Sequence, residues 1–330
     1  MIHMVLCGGH GSRLWPLSTR ACPKPFCRIV DDLSMFQQTI VRNRMLCENT
    51  LIVANDKHSR LVRGQLEEIG CKTARFIWES SARNTAPAIA LACLSLSPEE
   101  LVLVTPSDHT LEPKILYRKS ILEARKHAEL NYIVTFGCHP LEPHEGYGYI
   151  QAERSDVISF LEKPSSTQAK QCLKEGNWYW NTGIYLFKAG VLLQELQRYA
   201  PDLWEACLTV YEERRCLAEK QVFFSKMEHI PEMSIDRAVM EHSERLKMVE
   251  MKADWSDLGS FEALAAHLYR HNEINTDHGC QVRMNADNNV VITSKKKVVL
   301  IDVENIIVIE TDEGLLISKR GSSHKIKDIL

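Results

Sequence analysis

Leu6-Cys7-Gly8-Gly9-His10-Gly11-Ser12-Arg13-Leu14-Trp15-Pro16-Leu17-Ser18, followed closely by Pro23-Lys24-Pro25-Phe26, is the stretch that decides the fold. The apolar run from Ile2 to Leu6 ahead of it has the residue types and length of a buried strand. That strand runs into Gly8, Gly9 and Gly11, whose backbones reach dihedrals closed to other residues and bring N–H groups close to a bound anion. Arg13 adds a permanent charge with a fork of donors matched to phosphate oxygens. Lys24 stands between two prolines that restrict the backbone on either side, so its ammonium projects from a stiff segment. Strand, glycine turn, arginine and clamped lysine are the parts of a polyphosphate site, although a glycine turn alone also serves purely structural ends. Two common phosphate motifs do not fit. A P-loop requires Lys-Ser or Lys-Thr after its last glycine, and the dinucleotide fingerprint requires a third glycine where Leu14 stands.

The 330 residues are 45% hydrophobic and 25% charged with a formal net charge of −3. This composition predicts an ordinary globular protein with one large domain and a small one, and no general attraction to nucleic acid. The N-terminal apolar run is too short for a signal peptide and no run is long enough to cross a membrane, so a cytoplasmic protein with no membrane partner is expected. Eleven cysteines without a zinc-type spacing point to reduced thiols.

Apolar runs at Ile2–Leu6, Thr50–Ala54, Arg75–Trp78, Leu101–Thr105 and Ile133–Phe136 alternate with amphipathic segments, which predicts a mostly parallel sheet. Ser34 with Gln37 and Ser165 with Gln168 read as capping boxes, and Asp56 reads as the cap of a helix ending near Gly70. Gly146–Ile150, Val157–Leu161 and Ile184–Phe187 have shorter connections, as in an antiparallel portion, and a helix is expected over Trp204–Arg215. Beyond a boundary near Asn272 the pattern changes to short strands and turns, with Lys295-Lys296-Lys297 read as a solvated hairpin tip.

Ligands of such sheets bind outside the carboxyl ends of the strands. Polar clusters follow predicted strands at Ser107-Asp108-His109, Glu162-Lys163-Pro164 and Trp255-Ser256-Asp257. Asp108 and Asp257 suit either a divalent metal or a helix N-cap. Glu162-Lys163 reads either as an acceptor for sugar hydroxyls beside a cation for phosphate, or as an exposed ion pair. Asn84 and Thr85 stand at a helix start, where capping and ligand contact are both open.

Gly8-Gly9-x-Gly11-Ser12-Arg13-Leu14-Trp15-Pro16-Leu17-Ser18 with Pro23-Lys24 resembles the signature of sugar-1-phosphate nucleotidylyltransferases, and its Trp-Pro-Leu-Ser form resembles the mannose-1-phosphate guanylyltransferases. Further segments fall in the family's order as far as about Leu264. They include Glu79-Ser80-Ser81-Ala82-Arg83-Asn84-Thr85-Ala86-Pro87, Gly146-Tyr147-Gly148-Tyr149, Trp180-Asn181-Thr182-Gly183 and Ser234-Ile235-Asp236. The resemblance implies an α/β protein: a Rossmann-like nucleotidyltransferase domain over 1–272 with a mixed, mostly parallel sheet, and a small β-rich domain over 273–330. It implies transfer of GMP from GTP to α-D-mannose 1-phosphate, with Mg2+ held by Asp108 and Asp257. Arg13, Lys24 and Lys163 are the implied catalytic cations. Leu6, Gly8, Gly9, Gly11, Ser12, Arg13, Glu79, Asn84, Thr85, Ser107 and Asp108 are implied at the nucleotide. Gly146, Tyr147, Gly148, Glu162, Lys163 and Asn181 are implied at the sugar phosphate, with Asp236 as support and a homo-oligomer, a dimer first, as the assembly. The sequence departs from the family at Thr19, Pro25 and Ser80, and at His144-Glu145 before Gly146, which bears on base and sugar selectivity. The alternatives are another sugar 1-phosphate or NTP, a catalytically silent sugar-nucleotide-binding paralogue, and a nicotinamide enzyme, which the missing third glycine disfavours.

Overall fold

The first strand, Ile2–Cys7, pairs in parallel on both sides, with Asn49–Asn55 and with Leu101–Pro106. A strand so placed has no solvent face, which is why it is apolar apart from His3, whose Nε2 hydrogen-bonds Thr105 Oγ1 at 2.8 Å. The computed structural model describes residues 1–8, 14–218, 220–270, 281–293 and 296–329. Gly9, Gly11, Ser12 and Arg13, and the boundary near Asn272, lie outside the described residues. The chain divides into two units, one comprising 1–8, 39–107 and 111–255, the other 9–38, 108–110 and 256–330.

The first unit is built on an eleven-stranded mixed sheet. Gln221–Phe224, Arg75–Glu79, Asn49–Asn55, Ile2–Cys7 and Leu101–Pro106 run parallel in that spatial order. The long strand Trp178–Lys188 then enters antiparallel between Leu101–Pro106 and Ile133–Cys138. Strand Leu246–Glu250 pairs in parallel with Ile133–Cys138, and the antiparallel strands Tyr149–Glu153 and Asp156–Leu161 complete that side.

Alternation along each strand feeds two cores. Val102, Val104, Tyr185 and Phe187 pack with the helices Thr85–Leu94, Ala189–Tyr199 and Pro201–Glu212. Leu103, Val134, Phe136, Ile184 and Leu186 face the opposite way, with Tyr117, Ile121 and Ala124 of the helix Lys114–Glu129. Helix Thr85–Leu94 is buried at every position from Ala86 to Cys93, so it carries no polar face and reads as apolar throughout.

Both predicted capping boxes form: Gln37 N–H donates to Ser34 and Ser34 N–H to Gln37, and Ser165 with Gln168 does the same. The cap expected at Asp56 is instead Asn55, whose side chain accepts from Lys57 N–H at the start of a short 3-10 turn, and the helix proper is Ser59–Glu68. The strand expected over Ile184–Phe187 begins earlier, at Trp178, because its interior polar residues are satisfied by one another and by neighbouring elements. Helix Ala189–Tyr199 has no counterpart among the elements expected from the sequence. The helix expected over Trp204–Arg215 is Pro201–Glu212, and Arg215 opens an edge strand instead.

The second unit joins Leu14, Met35 and the helix Phe261–Arg270 to the C-terminal strands through one core that includes Leu258, Leu264, Val290, Ile307 and Ile309. The C-terminal strands are two rungs of a coil. Gln281–Met284 lies parallel to Val298–Ile301, and Val290–Thr293 lies parallel to Ile306–Thr311. Corner residues stack in the same register: Asn285 donates to Asp302 at 3.0 Å across 17 residues, and Asn288 bonds Asn305 likewise. All four have φ between 48° and 57°, a conformation that Asn and Asp tolerate best after glycine. Because Val290–Thr293 and Val298–Ile301 belong to different sheets, the turn holding Lys296 and Lys297 is a corner of the coil and not a hairpin tip.

Candidate active site

The candidate residues fall into both units. In the first, Ser107 follows Leu101–Pro106 and donates to the carbonyl of Leu6 at 2.8 Å, which ties the carboxyl ends of two neighbouring parallel strands. Gly8 is exposed, with open space where a Cβ would stand. Asn84 has φ 70° and caps helix Thr85–Leu94 by accepting from Thr85 N–H, while Thr85 Oγ1 accepts from Ile235 N–H at 2.8 Å. Both side chains therefore hold backbone. Glu79 ends the strand Arg75–Glu79 and is 7% exposed. Burial pushes its carboxyl up to about 8, and its Oε1 has no hydrogen-bond partner among the described residues.

The sugar-phosphate candidates gather at the antiparallel side of the same sheet. Gly148 C=O accepts from Asn181 N–H at 2.8 Å, and a Cβ on Gly148 would come within 2.8 Å of Glu162 Oε2. Only glycine fits there without moving the carboxylate. Lys163 adopts φ 49°, and its Nζ lies 3.0 Å from Glu162 Oε1. The lysine side chain is 60% exposed and that of Glu162 only 9%, so the cation is presented and the acid is held. Tyr147 packs between His144 at 3.9 Å, Trp255 at 5.0 Å and Trp180 at 5.2 Å, ring centroid to centroid. His144 Nδ1 also accepts from Gly146 N–H at 3.1 Å, so the residue that departs from the family pattern shapes this loop.

The Asn181 amide is engaged on both ends. Its Oδ1 accepts from Thr135 Oγ1 and from Gly183 N–H, each at 3.1 Å. Its Nδ2 donates to Tyr185 OH at 2.9 Å and to Asp236 Oδ1 at 3.0 Å. Tyr185 in turn donates to Asp236. Burial and the facing Glu162 carboxylate push the Asp236 carboxyl up to about 6, against the Tyr185 bond. Sequence reasoning missed Thr135 and Tyr185, because a threonine and a tyrosine inside strands look like core.

The second unit holds Lys24, Asp108 and Asp257. Lys24 is 5% exposed, and its Nζ donates to Asp108 Oδ2 at 2.8 Å and to the Asp257 carbonyl. Burial would raise the Asp108 carboxyl, but the Lys24 ammonium and His109 outweigh it and hold it below the usual carboxylate range. Asp257 Oδ1 accepts from Gly259 N–H at 3.0 Å, and a Cβ on Gly259 would stand 2.6 Å from Asp257 Oδ2. One ammonium thus bridges the Asp108 carboxylate and the Asp257 main-chain carbonyl, and among the described residues no group of three or more His, Cys, Asp or Glu side chains is placed to hold a metal ion.

A mixed sheet whose first strand runs into Gly8 and is tied to Ser107, and a second unit with a buried lysine on Asp108 and the Asp257 carbonyl, suit a nucleotidyl-transfer protein. The chain belongs to the nucleotidyl transferase family, whose model matches residues 2–272. It is 35% identical, over 99% of its own length and 72% of the relative's, to mannose-1-phosphate guanylyltransferase of Escherichia coli K12. A Thermus thermophilus crystal structure, described as a mannose-1-phosphate geranyltransferase, superposes with a TM-score of 0.84 at 25% identity, covering 99% of this chain and 97% of that one. A Helicobacter pylori structure described as mannose-6-phosphate isomerase is 37% identical with a TM-score of 0.71, covering 77% of this chain and 99% of that one. No described helix is long and apolar enough to cross a membrane.

Proposed function

We propose that the protein transfers GMP from GTP to α-D-mannose 1-phosphate, giving GDP-mannose and pyrophosphate. The observation that carries this reading is the buried Lys24 ammonium on Asp108 and the Asp257 carbonyl, in a chain similar along its whole length to a mannose-1-phosphate guanylyltransferase. The sugar-phosphate oxygen attacks the α-phosphorus of GTP in line, and pyrophosphate departs. Positioning and neutralisation of charge dominate such a reaction.

In this reading the Gly8–Gly11 amides and Arg13 hold the β- and γ-phosphates, and Lys24 turns its ammonium toward the α-phosphate. Lys163 holds the attacking phosphate, while Glu162 and the Gly148 backbone receive the sugar hydroxyls. Asp108 and Asp257 are the residues that would hold Mg2+, which supplies charge neutralisation on the phosphates when bound. The low proton affinity of Asp108 keeps it ionised and ready for that role at neutral pH.

With GTP, mannose 1-phosphate and Mg2+, the wild-type chain is expected to yield GDP-mannose and pyrophosphate one for one. Lys163→Ala is expected to raise the KM for mannose 1-phosphate by roughly tenfold or more while leaving the KM for GTP near its wild-type value, because an exposed cation on a phosphate contributes mainly to binding. An unchanged sugar-phosphate KM removes Lys163 from that role. Absence of product from a folded chain that still binds GDP-mannose identifies the silent paralogue instead.

A further inference from the structure

Two thiols bracket the lysine of the nucleotide site. Cys22 and Cys27 face each other with their Sγ atoms 3.7 Å apart. The segment between them folds on itself: Phe26 N–H donates to the Pro23 carbonyl at 2.9 Å, and Cys27 N–H donates to the Lys24 carbonyl at 3.1 Å. The same 3-10 turn, Lys24–Phe26, therefore presents Lys24 and brings the thiols together. Cys27 is buried, with its sulfur near the carbonyls of Leu17 at 3.2 Å and of Cys22 and Pro23 at 3.4 Å. Cys22 is half-buried, so a small reagent reaches it first.

We propose that Cys22 and Cys27 are a modification site, a thiol pair that a low-molecular-weight disulfide converts to an intramolecular disulfide, displacing Lys24 from Asp108. The Cys22 thiolate attacks one sulfur of the reagent, forming a mixed disulfide and expelling the reagent's other half as a thiolate. Cys27 then attacks the Cys22 sulfur, its proton passing to the second departing thiolate. One reagent disulfide is reduced to two thiols, and two protein thiols are oxidised to one disulfide. The division of labour follows the surroundings. A hydrogen bond from Cys27 lowers Cys22 to about 7, with burial opposing, whereas Cys27 is raised by that same contact and by burial. Cys22 is thus the attacking group and Cys27 the resolving one.

A disulfide bond is about 2.05 Å long, so the sulfurs must close by roughly 1.7 Å. Lys24 sits inside the loop that tightens, and a displacement on the order of 1 Å at a positioned group can cost about a hundredfold in rate. The loss of activity rests on the function proposed above, but formation of the bond does not.

Trypsin releases residues 21–28 as one peptide, since Lys24 precedes proline, and this peptide carries both thiols. The folded full chain is treated with glutathione disulfide, alkylated with N-ethylmaleimide and digested. The expected peptide is roughly 2 Da lighter than its reduced form and carries no alkyl group. Pyrophosphate release falls by on the order of tenfold to a hundredfold and returns with dithiothreitol. Cys22→Ser has the activity of the untreated wild type and resists the reagent. A peptide with two alkyl groups, or with glutathione left on Cys22, overturns the pair. Equal inactivation of wild type and Cys22→Ser, or a crosslinked peptide in a fully active chain, overturns the link to Lys24. A chain inactive even when reduced removes the guanylyltransferase reading while the peptide mass still reports on the bond.

Discussion

Lys24→Met is expected to lower kcat by on the order of a thousandfold, with a smaller change in the KM of either substrate. The side chain is nearly buried and its ammonium is committed to Asp108 and the Asp257 carbonyl. Methionine keeps most of the length of the stem and removes the charge, so the loss reports on electrostatics more than on packing. Donors aimed at charge that develops in the transition state are each worth about a hundred- to a thousandfold in mutational series, and a site whose task is charge neutralisation stands at the upper end. The same substitution has a stability signature. Asp108 is held below its ordinary value in the folded chain, so it contributes stability that is present above the unfolded carboxylate range and is lost as pH falls through the folded value. Removing Lys24 removes that contribution. Urea unfolding in a chelator is therefore expected to show Lys24→Met less stable than wild type at pH 7, with the gap narrowing as pH drops below about 4. A variant that keeps wild-type kcat, or whose stability gap is the same at both ends of the range, contradicts this account of the pair.

The second large effect is expected at Asn181. Its amide accepts from Thr135 and Gly183 and donates to Tyr185 and Asp236, with Thr135 fully buried and Asn181 itself 9% exposed. Asn181→Ala leaves the Thr135 hydroxyl and Gly183 N–H without their acceptor and the Tyr185 oxygen without its donor, while Asp236 keeps the hydrogen bond from Tyr185. At about 1–3 kcal/mol for each buried group left unsatisfied, and with water filling part of the space, a net loss on the order of 3 kcal/mol is expected in chemical unfolding. The resemblance implies that this amide touches a sugar hydroxyl, and the two roles separate cleanly. A direct contact alone raises the sugar-phosphate KM and leaves stability unchanged. The network predicts a marked loss of stability and a disturbed Glu162, because Asp236 faces that carboxylate. Asp236→Asn provides the milder comparison, since its amide oxygen can still accept from Tyr185.

Local features were legible in the sequence where their cause is local. The first strand could be read from its apolar run into glycines, and the two capping boxes from Ser and Gln three residues apart. The helix opened by Asn84-Thr85-Ala86-Pro87 could be read from its apolar run over Ala88–Leu96, and it forms over Thr85–Leu94, buried on every side. Features with distant causes could not. Asp56 and Asn55 are both good caps, and the choice between them is made by where strand Asn49–Asn55 ends. Asn181-Thr182-Gly183 looks like a break in a strand until Thr135, Tyr185 and Asp236 are known to satisfy it. The coil of the C-terminal strands leaves a trace at 17-residue spacing, Asn285 over Asp302 and Asn288 over Asn305, but two rungs are too few to announce a repeat.

The same division holds within the candidate site. Lys24, Asp108 and Asp257 could be picked out individually as groups after strands and between prolines. Their meeting joins residues 84 and 233 positions apart, which no local pattern reports. For Asn84 and Thr85 the sequence permits both capping and recognition, and both side chains are occupied as caps or ties in this structure. Glu79 is as buried as Lys24 and Asn181, and its carboxyl is pushed up by that burial, which no local pattern reports. The Cys22–Cys27 contact was invisible as chemistry, since the sequence offered only eleven scattered thiols.

The measurement that bears most directly on the central claim is pyrophosphate release with Mg2+, crossing GTP, ATP, UTP and dTTP against the 1-phosphates of mannose, glucose and glucosamine. Release with GTP and mannose 1-phosphate is expected at least about a hundredfold above every other pair in kcat/KM, the discrimination that a site hydrogen-bonding its ligands can reach. Preference for another pair would keep the chemistry and contradict the substrates. No release with any pair, from a folded and Mg2+-supplied chain, would contradict the claim that this protein is a guanylyltransferase.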